Sequence, residues 1–539
     1  MIELRWDGKD EALKVAEEAK THLLEFDKNF SFGEKNSENM IVQGDNLQVL
    51  KSLLPFYRGQ VKCIYIDPPY NTGSAFENYN DNFPHSAWLN MMYPRLELLK
   101  DFLSDNGSIW VQIDDKEQAH LRVMMDEIFG RKNFVQMISV KRASPAGFKV
   151  INPGPLTVTE YVFFYCKDKE QMFYIPQRIP VDYDKNYDSY IVNPNDTAQK
   201  WKIEKLTTLL YQRWNVSSWQ EVKQKYGRGW KIIRDAALGE LALELKDCVV
   251  SVRDPHKPSN LIKNVMNESK RHRGKVFVIE RENYNPIFIY NGGSLSFYRD
   301  KLRNIDGVLT STELLTDFWS DINYAGIASE GNVVFKNGKK PEMLVKRILE
   351  MTTNEGDLVM DIFLGSGTTV AVAHKMNRKY IGVEIGEQCT THIVPRLQKV
   401  VEGEQSGISK IVNWCGGGGF SFYRLGAKIL DVEGKINSSV TFEQLANFVW
   451  FSATKTPYRE PQHSPLLGIY NGKAIYLLYN GILKDKSVKG GNILTKKILS
   501  LLPKFDGEKI IYGSACRIDE DFLEENKIIF RQIPKELNL

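Results

Sequence analysis

The run VKCIYI (61–66), apolar and β-branched almost throughout, is the feature that most restricts how this chain can fold. Such a run reads as a strand buried on both faces, as in a parallel sheet, and a parallel sheet needs crossover helices. The flanking pattern supplies them. A short strand runs from Ile41–Val42 to Gly44–Asp45, and helical periods cover 46–55 and 86–104, the latter despite Pro94. The strand SIWVQI (108–113) and a helix over 116–129 follow. Alternation resumes far downstream, with a helix over 341–352, the strand LVMDI (358–362), a glycine turn and a helix to about 376. The strand YIGVEI (380–385) and a helix over 387–401 complete it. This is the signature of an α/β chain with a doubly wound, parallel sheet.

The remainder divides around that sheet. Residues 1–39 form an N-terminal segment with helical spacing over 8–26 and a polar loop over 27–39. Residues 40–166 and 316–414 are two halves of one sheet domain, the first closed by the strand TVTEYVFFYC (157–166) after a loop at Asn152–Pro155. Between them, 167–315 shows no βα alternation and holds Trp201, Trp214, Trp219 and Trp230, so it reads as an inserted domain. The glycines of CGGGG (415–419) mark a boundary, and 415–539 reads as a separate C-terminal domain.

Charge follows the same division. The chain as a whole is +4, but Lys200–Thr310 carries 21 Lys+Arg against 12 Asp+Glu, a local excess of 21 − 12 = +9. A polyanionic partner accounts for that excess; a solvated basic face is the alternative. The densest cluster is Lys270, Arg271, Arg273 and Lys275, which we expect to contact phosphates. There is no signal-peptide pattern and no apolar run of membrane-spanning length, so a cytoplasmic protein is expected. The six cysteines form no CxxC pair, and neither a zinc site nor a disulfide framework is expected.

The tetrapeptide Asp67-Pro68-Pro69-Tyr70 stands where the buried strand ends, and ligand sites of open parallel sheets gather at that edge. It suits alkylation of an amino group conjugated with a purine ring. The lone pair of such a nitrogen is delocalised, and acceptors on its N–H groups draw it out of conjugation. Asp67 offers a carboxylate oxygen, Pro68 a backbone carbonyl in a loop stiffened by Pro69, and Tyr70 a ring on which an extruded base can stack. A rigid proline turn is the structural alternative.

The second motif is Asp361-Ile362-Phe363-Leu364-Gly365-Ser366-Gly367-Thr368-Thr369, between a strand and a helix. Gly365 and Gly367 let the backbone turn tightly against a ligand, and the helix N-terminus favours a carboxylate. Glu384 ends the next strand, at a spacing suited to ribose hydroxyls. A dinucleotide is the rival ligand, but Val370 stands where G-x-G-x-x-G requires its third glycine, so S-adenosyl-L-methionine is favoured. Asp45, ending the first strand, and Pro341, opening the helix before the glycine turn, are further candidates for cofactor contact, with a structural role as the alternative.

IYIDPPYNTGS (64–74), KKPEMLVKRIL, DIFLGSGTT, GGGGFSFYRL (416–425) and the tail IYGSACRIDEDFLEENKIIFRQIP (511–534) together resemble the β-class adenine-N6 DNA methyltransferases. Within that class the chain is similar to the modification (Mod) subunits of type III restriction–modification systems. The resemblance implies a Rossmann-like S-adenosylmethionine-dependent methyltransferase sheet in which the catalytic motif precedes the cofactor motif, a circular permutation. It implies that 167–315 is a target recognition domain and that the C-terminal region is an α+β domain serving dimer or restriction (Res) subunit contacts. It assigns Asp67, Pro68 and Tyr70 to a flipped adenine and Phe363, Gly365, Gly367 and Glu384 to the cofactor. Its partners are double-stranded DNA, a second Mod copy and a Res subunit. Cytosine-N4 methylation and a catalytically silent recognition subunit are the alternatives. Cytosine-C5 methylation is excluded, because no cysteine follows a proline.

Overall fold

The computed structural model describes residues 3–72, 83–143, 154–305, 307–335, 338–431, 433–454, 456, 458, 463–479 and 492–536. Gly73 of the first motif, and Asn152 and Pro153 of the expected loop, lie outside them. The described chain forms two compact units, Met1–Ile175 with Thr316–Leu539, and Pro176–Leu315.

The larger unit is a mixed α/β structure on an 11-stranded sheet. In chain order its elements begin with α1 (Lys9–Glu18), β1 (His22–Phe26), β2 (Met40–Gln43), α2 (Asn46–Tyr57) and β3 (Val61–Ile66). Next come α3 (His85–Phe102), β4 (Leu103–Ile113), β5 (Phe134–Lys141), β6 (Thr159–Cys166) and the two-residue β7 (Phe318–Trp319). The second half adds α4 (Glu342–Thr352), β8 (Leu358–Asp361), α5 (Thr368–Lys375), β9 (Lys379–Glu384), α6 (Val394–Val401), β10 (Gly419–Lys428) and α7 (Phe442–Thr454). The strand order is β1-β10-β2-β9-β8-β3-β4-β6-β5-β7, with Phe32–Gly33 pairing β10 off this path.

From β10 through β4 every neighbouring pair is parallel, and β6 runs antiparallel between β4 and β5. All six residues of β3 are buried, as a strand covered on both faces requires. The decisive neighbours are β3 and β8, with Cys63 opposite Val359 and Ile64 opposite Met360. Two motifs far apart in the chain therefore end at the same sheet edge, side by side.

Two parts of the sequence reading change. The N-terminal helix stops at Glu18, and His22–Phe26 is a strand of the central sheet rather than more helix. The glycines after Cys415 do not leave the sheet domain. Gly416, Gly417 and Gly418 have φ of 97°, 113° and 73°, and they turn the chain from α6 back into β10, which lies between the edge strand β1 and β2. Beyond it, Phe448 and Phe451 of α7 pack on Phe56 of α2 at 5.5 and 5.4 Å between ring centroids. A four-stranded sheet with its own apolar core then occupies 466–532.

Among the described residues the smaller unit has a six-stranded and a three-stranded sheet with four α-helices. Tyr187, Leu206, Leu210, Leu238 and Leu241 centre one of its cores.

Candidate active site

Asp67 follows β3 directly, and its carboxylate sits in a charged network. Oδ1 lies 2.7 Å from the Tyr70 hydroxyl, and Oδ2 accepts from Lys340 Nζ at 2.6 Å. Glu160 of β6 joins the same cluster. Its Oε2 is 3.1 Å from the Tyr70 hydroxyl, 2.6 Å from Gln112 Nε2 and 3.9 Å from Lys340 Nζ, while Oε1 meets Arg142 Nη1 at 2.8 Å. Two carboxylates and two cations are thus gathered against one aromatic ring. Burial pushes Asp67 above the ordinary carboxylate range against the pull of Lys340. For Glu160 burial acts the same way, but Lys340 and Arg142 outweigh it and hold it below.

The tetrapeptide is clamped from behind. Trp88 of α3, fully buried, donates its indole N–H to the Pro69 carbonyl at 2.7 Å. No described residue donates to the Pro68 carbonyl, which leaves that acceptor available. Asn71 takes a positive φ of 62°, and its amide donates to Glu117 Oε1 at 2.7 Å. Glu117 is fully buried and also meets His85 Nδ1 at 2.6 Å and His120 Nδ1 at 2.9 Å. These three side chains are of metal-ligating type and lie close together. Here both histidines are hydrogen-bonded to Glu117, which also anchors Asn71 directly after Tyr70.

The glycine turn lies beside this cluster. Gly365 and Gly367 adopt φ of 53° and 79°, and α5 starts directly after. Glu384 ends β9, and its carboxylate accepts from the backbone N–H groups of Gly365 at 2.7 Å, Ile385 at 2.9 Å and Gly386 at 3.1 Å. The next residue, Ile385, presents an apolar side chain that is 66% exposed. Phe363 is partly buried. Asp45 caps α2 by accepting from the Gln48 N–H, and neighbouring Asn46 donates to the Ile362 carbonyl at 2.8 Å, tying that corner to the turn.

Other candidates face inward. Asp361 is 2% exposed, with Oδ1 accepting from the Phe363 N–H at 2.9 Å and Oδ2 from the Thr369 hydroxyl at 2.5 Å. Burial pushes its carboxyl up to about 7. Thr368 is buried; its hydroxyl donates to the Lys340 carbonyl at 3.2 Å and accepts from Arg396 Nη1 at 2.9 Å. Pro341 is buried at the N-cap of α4. All three brace the turn from its inner side.

Lys340, Glu160, Arg142 and Gln112 lie outside both 67–70 and 361–369. Glu160 left one sequence signal, a lone carboxylate in the otherwise apolar TVTEYVFFYC. Lys340 left none beyond its place before Pro341. In the smaller unit, Lys270 and Arg271 end a helix over Asn260–Arg271, and Arg273 and Lys275 follow it. All four are exposed.

A family model for DNA methylases matches residues 61–394, more than half of the chain. The chain is 37% identical over 413 residues to a protein of Haemophilus influenzae named a probable type III restriction-modification enzyme HindVI Mod subunit. That match covers 72% of this chain and 54% of the relative, so the chain spans about half of that relative's length. It is 26% identical to the type III restriction-modification enzyme EcoPI Mod subunit of Escherichia phage P1, over 98% of this chain and 86% of that one.

Proposed function

The chain belongs to the DNA methylase family, and from that premise we propose that it is a site-specific DNA methyltransferase acting on N6 of a flipped adenine. The observation that carries this reading is the meeting of Asp67-Pro68-Pro69-Tyr70 and the glycine turn at the ends of adjacent parallel strands. Asp67 and the open Pro68 carbonyl are the two acceptors for the amino group, and the Tyr70 ring is the stacking face.

The residues at the turn fit S-adenosyl-L-methionine. The turn leaves room for a ligand, since a Cβ added at Gly365 would meet nothing closer than 4.0 Å. Exposed Ile385 offers an apolar surface for the adenine, and the α5 N-terminus suits a carboxylate. Glu384 Oε1 is taken up by Ile385, Gly386 and Gln388, whereas Oε2 accepts from Gly365 and keeps a lone pair for a ribose hydroxyl. When bound, S-adenosyl-L-methionine would supply a sulfonium methyl and leave as the neutral thioether, and the proton shed by the nitrogen would pass by way of Asp67 to water. The chain's part is to grip both N–H groups so that the lone pair points at that methyl.

The matches to Mod subunits support a modification subunit of a type III system; such a subunit would work on double-stranded DNA as a homodimer and join a Res subunit, as the family resemblance implies. Residues 167–315 would carry target recognition. No helix among the described residues is long and apolar enough to cross a membrane.

Single-molecule sequencing of DNA from cells expressing the chain, compared with cells expressing Asp67→Ala, tests the reading. One short motif carrying N6-methyladenine only with the intact chain supports it. N4-methylcytosine, or no mark, refutes it.

A further inference from the structure

In the proposed reaction Asp67 accepts from the target amino group, yet side-chain donors already sit against both of its oxygens. Tyr70 lies at Oδ1 and the Lys340 ammonium at Oδ2. Lys340 is 9% exposed at its side chain, and its Nζ lies 4.9 Å from the centre of the Tyr70 ring. A nitrogen donor therefore stands on the catalytic carboxylate, beside the ring on which the base would stack. The Lys340 carbonyl accepts from Thr368 of the glycine turn, so the same residue touches both motifs.

We propose that Lys340 is a positioning residue whose ammonium stands in for the target amino group, holding Asp67 in place until the incoming base takes Oδ2. The inference deepens the adenine-N6 reading and rests on it. Yielding Oδ2 need not strand a buried charge, which would be costly. Glu160 Oε2 is 3.9 Å from the same nitrogen, and an ammonium can serve several acceptors. On base entry the cation moves toward Glu160 and remains close enough to keep Asp67 ionised.

The groups facing Asp67 are Lys340, Tyr70 and Glu160, with Tyr65, Tyr324 and Asp361 further out and Arg142 paired to Glu160. Among the described residues, Lys340 is the cation in contact with Asp67. Burial and Glu160 both favour a proton on Asp67, and Lys340 opposes them. Without the ammonium the carboxyl would keep its proton to higher pH.

The test is turnover of full-length wild type, Lys340→Met and Lys340→Arg on duplex DNA at saturating cofactor, from about pH 5.5 to 9. For Lys340→Met we expect the acid limb of kcat to move up by about one pH unit or more. That is a tenfold loss per unit on the limb, recovered in part at high pH, with KM for DNA within a few-fold of wild type. Lys340→Arg should keep the wild-type limb. A loss that is equal at every pH, or no loss, overturns the proposal. Lys340→Gln takes the place of the methionine variant if that variant does not fold, with the same expected limb. A wild type that makes no N6-methyladenine refutes the adenine reading, and this inference with it. A methylating wild type with an unshifted neutral variant refutes the inference alone.

Discussion

At the scale of single residues, the proposed reaction separates grip from stacking within Asp67-Pro68-Pro69-Tyr70. Tyr70 contributes a hydroxyl to Asp67 and a ring to the proposed base platform. Tyr70→Phe keeps the ring and should retain most base affinity. Tyr70→Ala should lose about 1–3 kcal/mol of stacking, and fluorescence of 2-aminopurine placed at the target base would report the poorer capture. Equal defects in the two variants would mean that the ring does not stack. Asp361 makes a different prediction. Its carboxyl is raised to about 7 in the folded chain, above its ordinary value, so the folded state binds the proton more tightly than the unfolded one. Its contribution to stability is then greatest below the ordinary carboxylate range and is lost as pH rises through about 7. Asp361→Asn does not titrate. The melting temperature of the variant relative to wild type should therefore fall as pH is lowered from about 8 to 5, and a pH-independent difference would show that Asp361 ionises normally. The places of Asp67 and Tyr70 at the end of a buried strand were legible, because the tetrapeptide follows VKCIYI directly. Glu160 and Lys340 were not, because their function depends on which strand and which helix end lie opposite, and no local spacing records that.

At the scale of elements, the glycine turn is held by a buried ionic brace. Glu342 in the first turn of α4 accepts from Arg396 of α6 and Lys375 of α5, both at 2.8 Å, with all three side chains fully buried. Arg396 also reaches the Ser366 carbonyl at 3.1 Å and the Thr368 hydroxyl, so three helix ends converge behind the turn. Removing one partner leaves an uncompensated buried charge. Arg396→Ala should destabilise the fold by about 3–5 kcal/mol and weaken cofactor binding in those molecules that remain folded, as urea denaturation and calorimetry would show. A change under about 1 kcal/mol would mean that water or neighbouring groups replace the guanidinium. The elements themselves were largely visible in the sequence: β3 occupies the expected 61–66, and α4 and β8 differ from expectation by one residue at an end. The brace was not, since Glu342, Lys375 and Arg396 each resemble an ordinary charged residue on an amphipathic helix until the helices are packed.

At the scale of the whole molecule, two facts escaped the linear pattern. The sheet takes in β10 between β1 and β2, although CGGGG resembles a linker, because three left-handed glycines make a reversal as readily as an exit. The smaller unit has six- and three-stranded sheets where the sequence showed only the absence of alternation, since short antiparallel strands lack the long apolar runs that marked β3. Its charge, by contrast, was legible and leads to the last prediction. Lys270, Arg271, Arg273 and Lys275 are exposed, and among the described residues none of them enters an ion pair within 4.0 Å. If they meet phosphates, binding releases about 0.9 counterion per contact, and the logarithm of the association constant falls with the logarithm of salt at that slope. Replacing all four with alanine should therefore flatten the slope by up to about 3.6 while leaving melting temperature and cofactor affinity unchanged. The loss should be similar for cognate and unrelated duplexes, because phosphate contacts position the protein without reading sequence. A slope unchanged by the four substitutions would place the phosphate contacts elsewhere on the chain. A loss confined to the cognate duplex would instead make this cluster part of the base-reading surface.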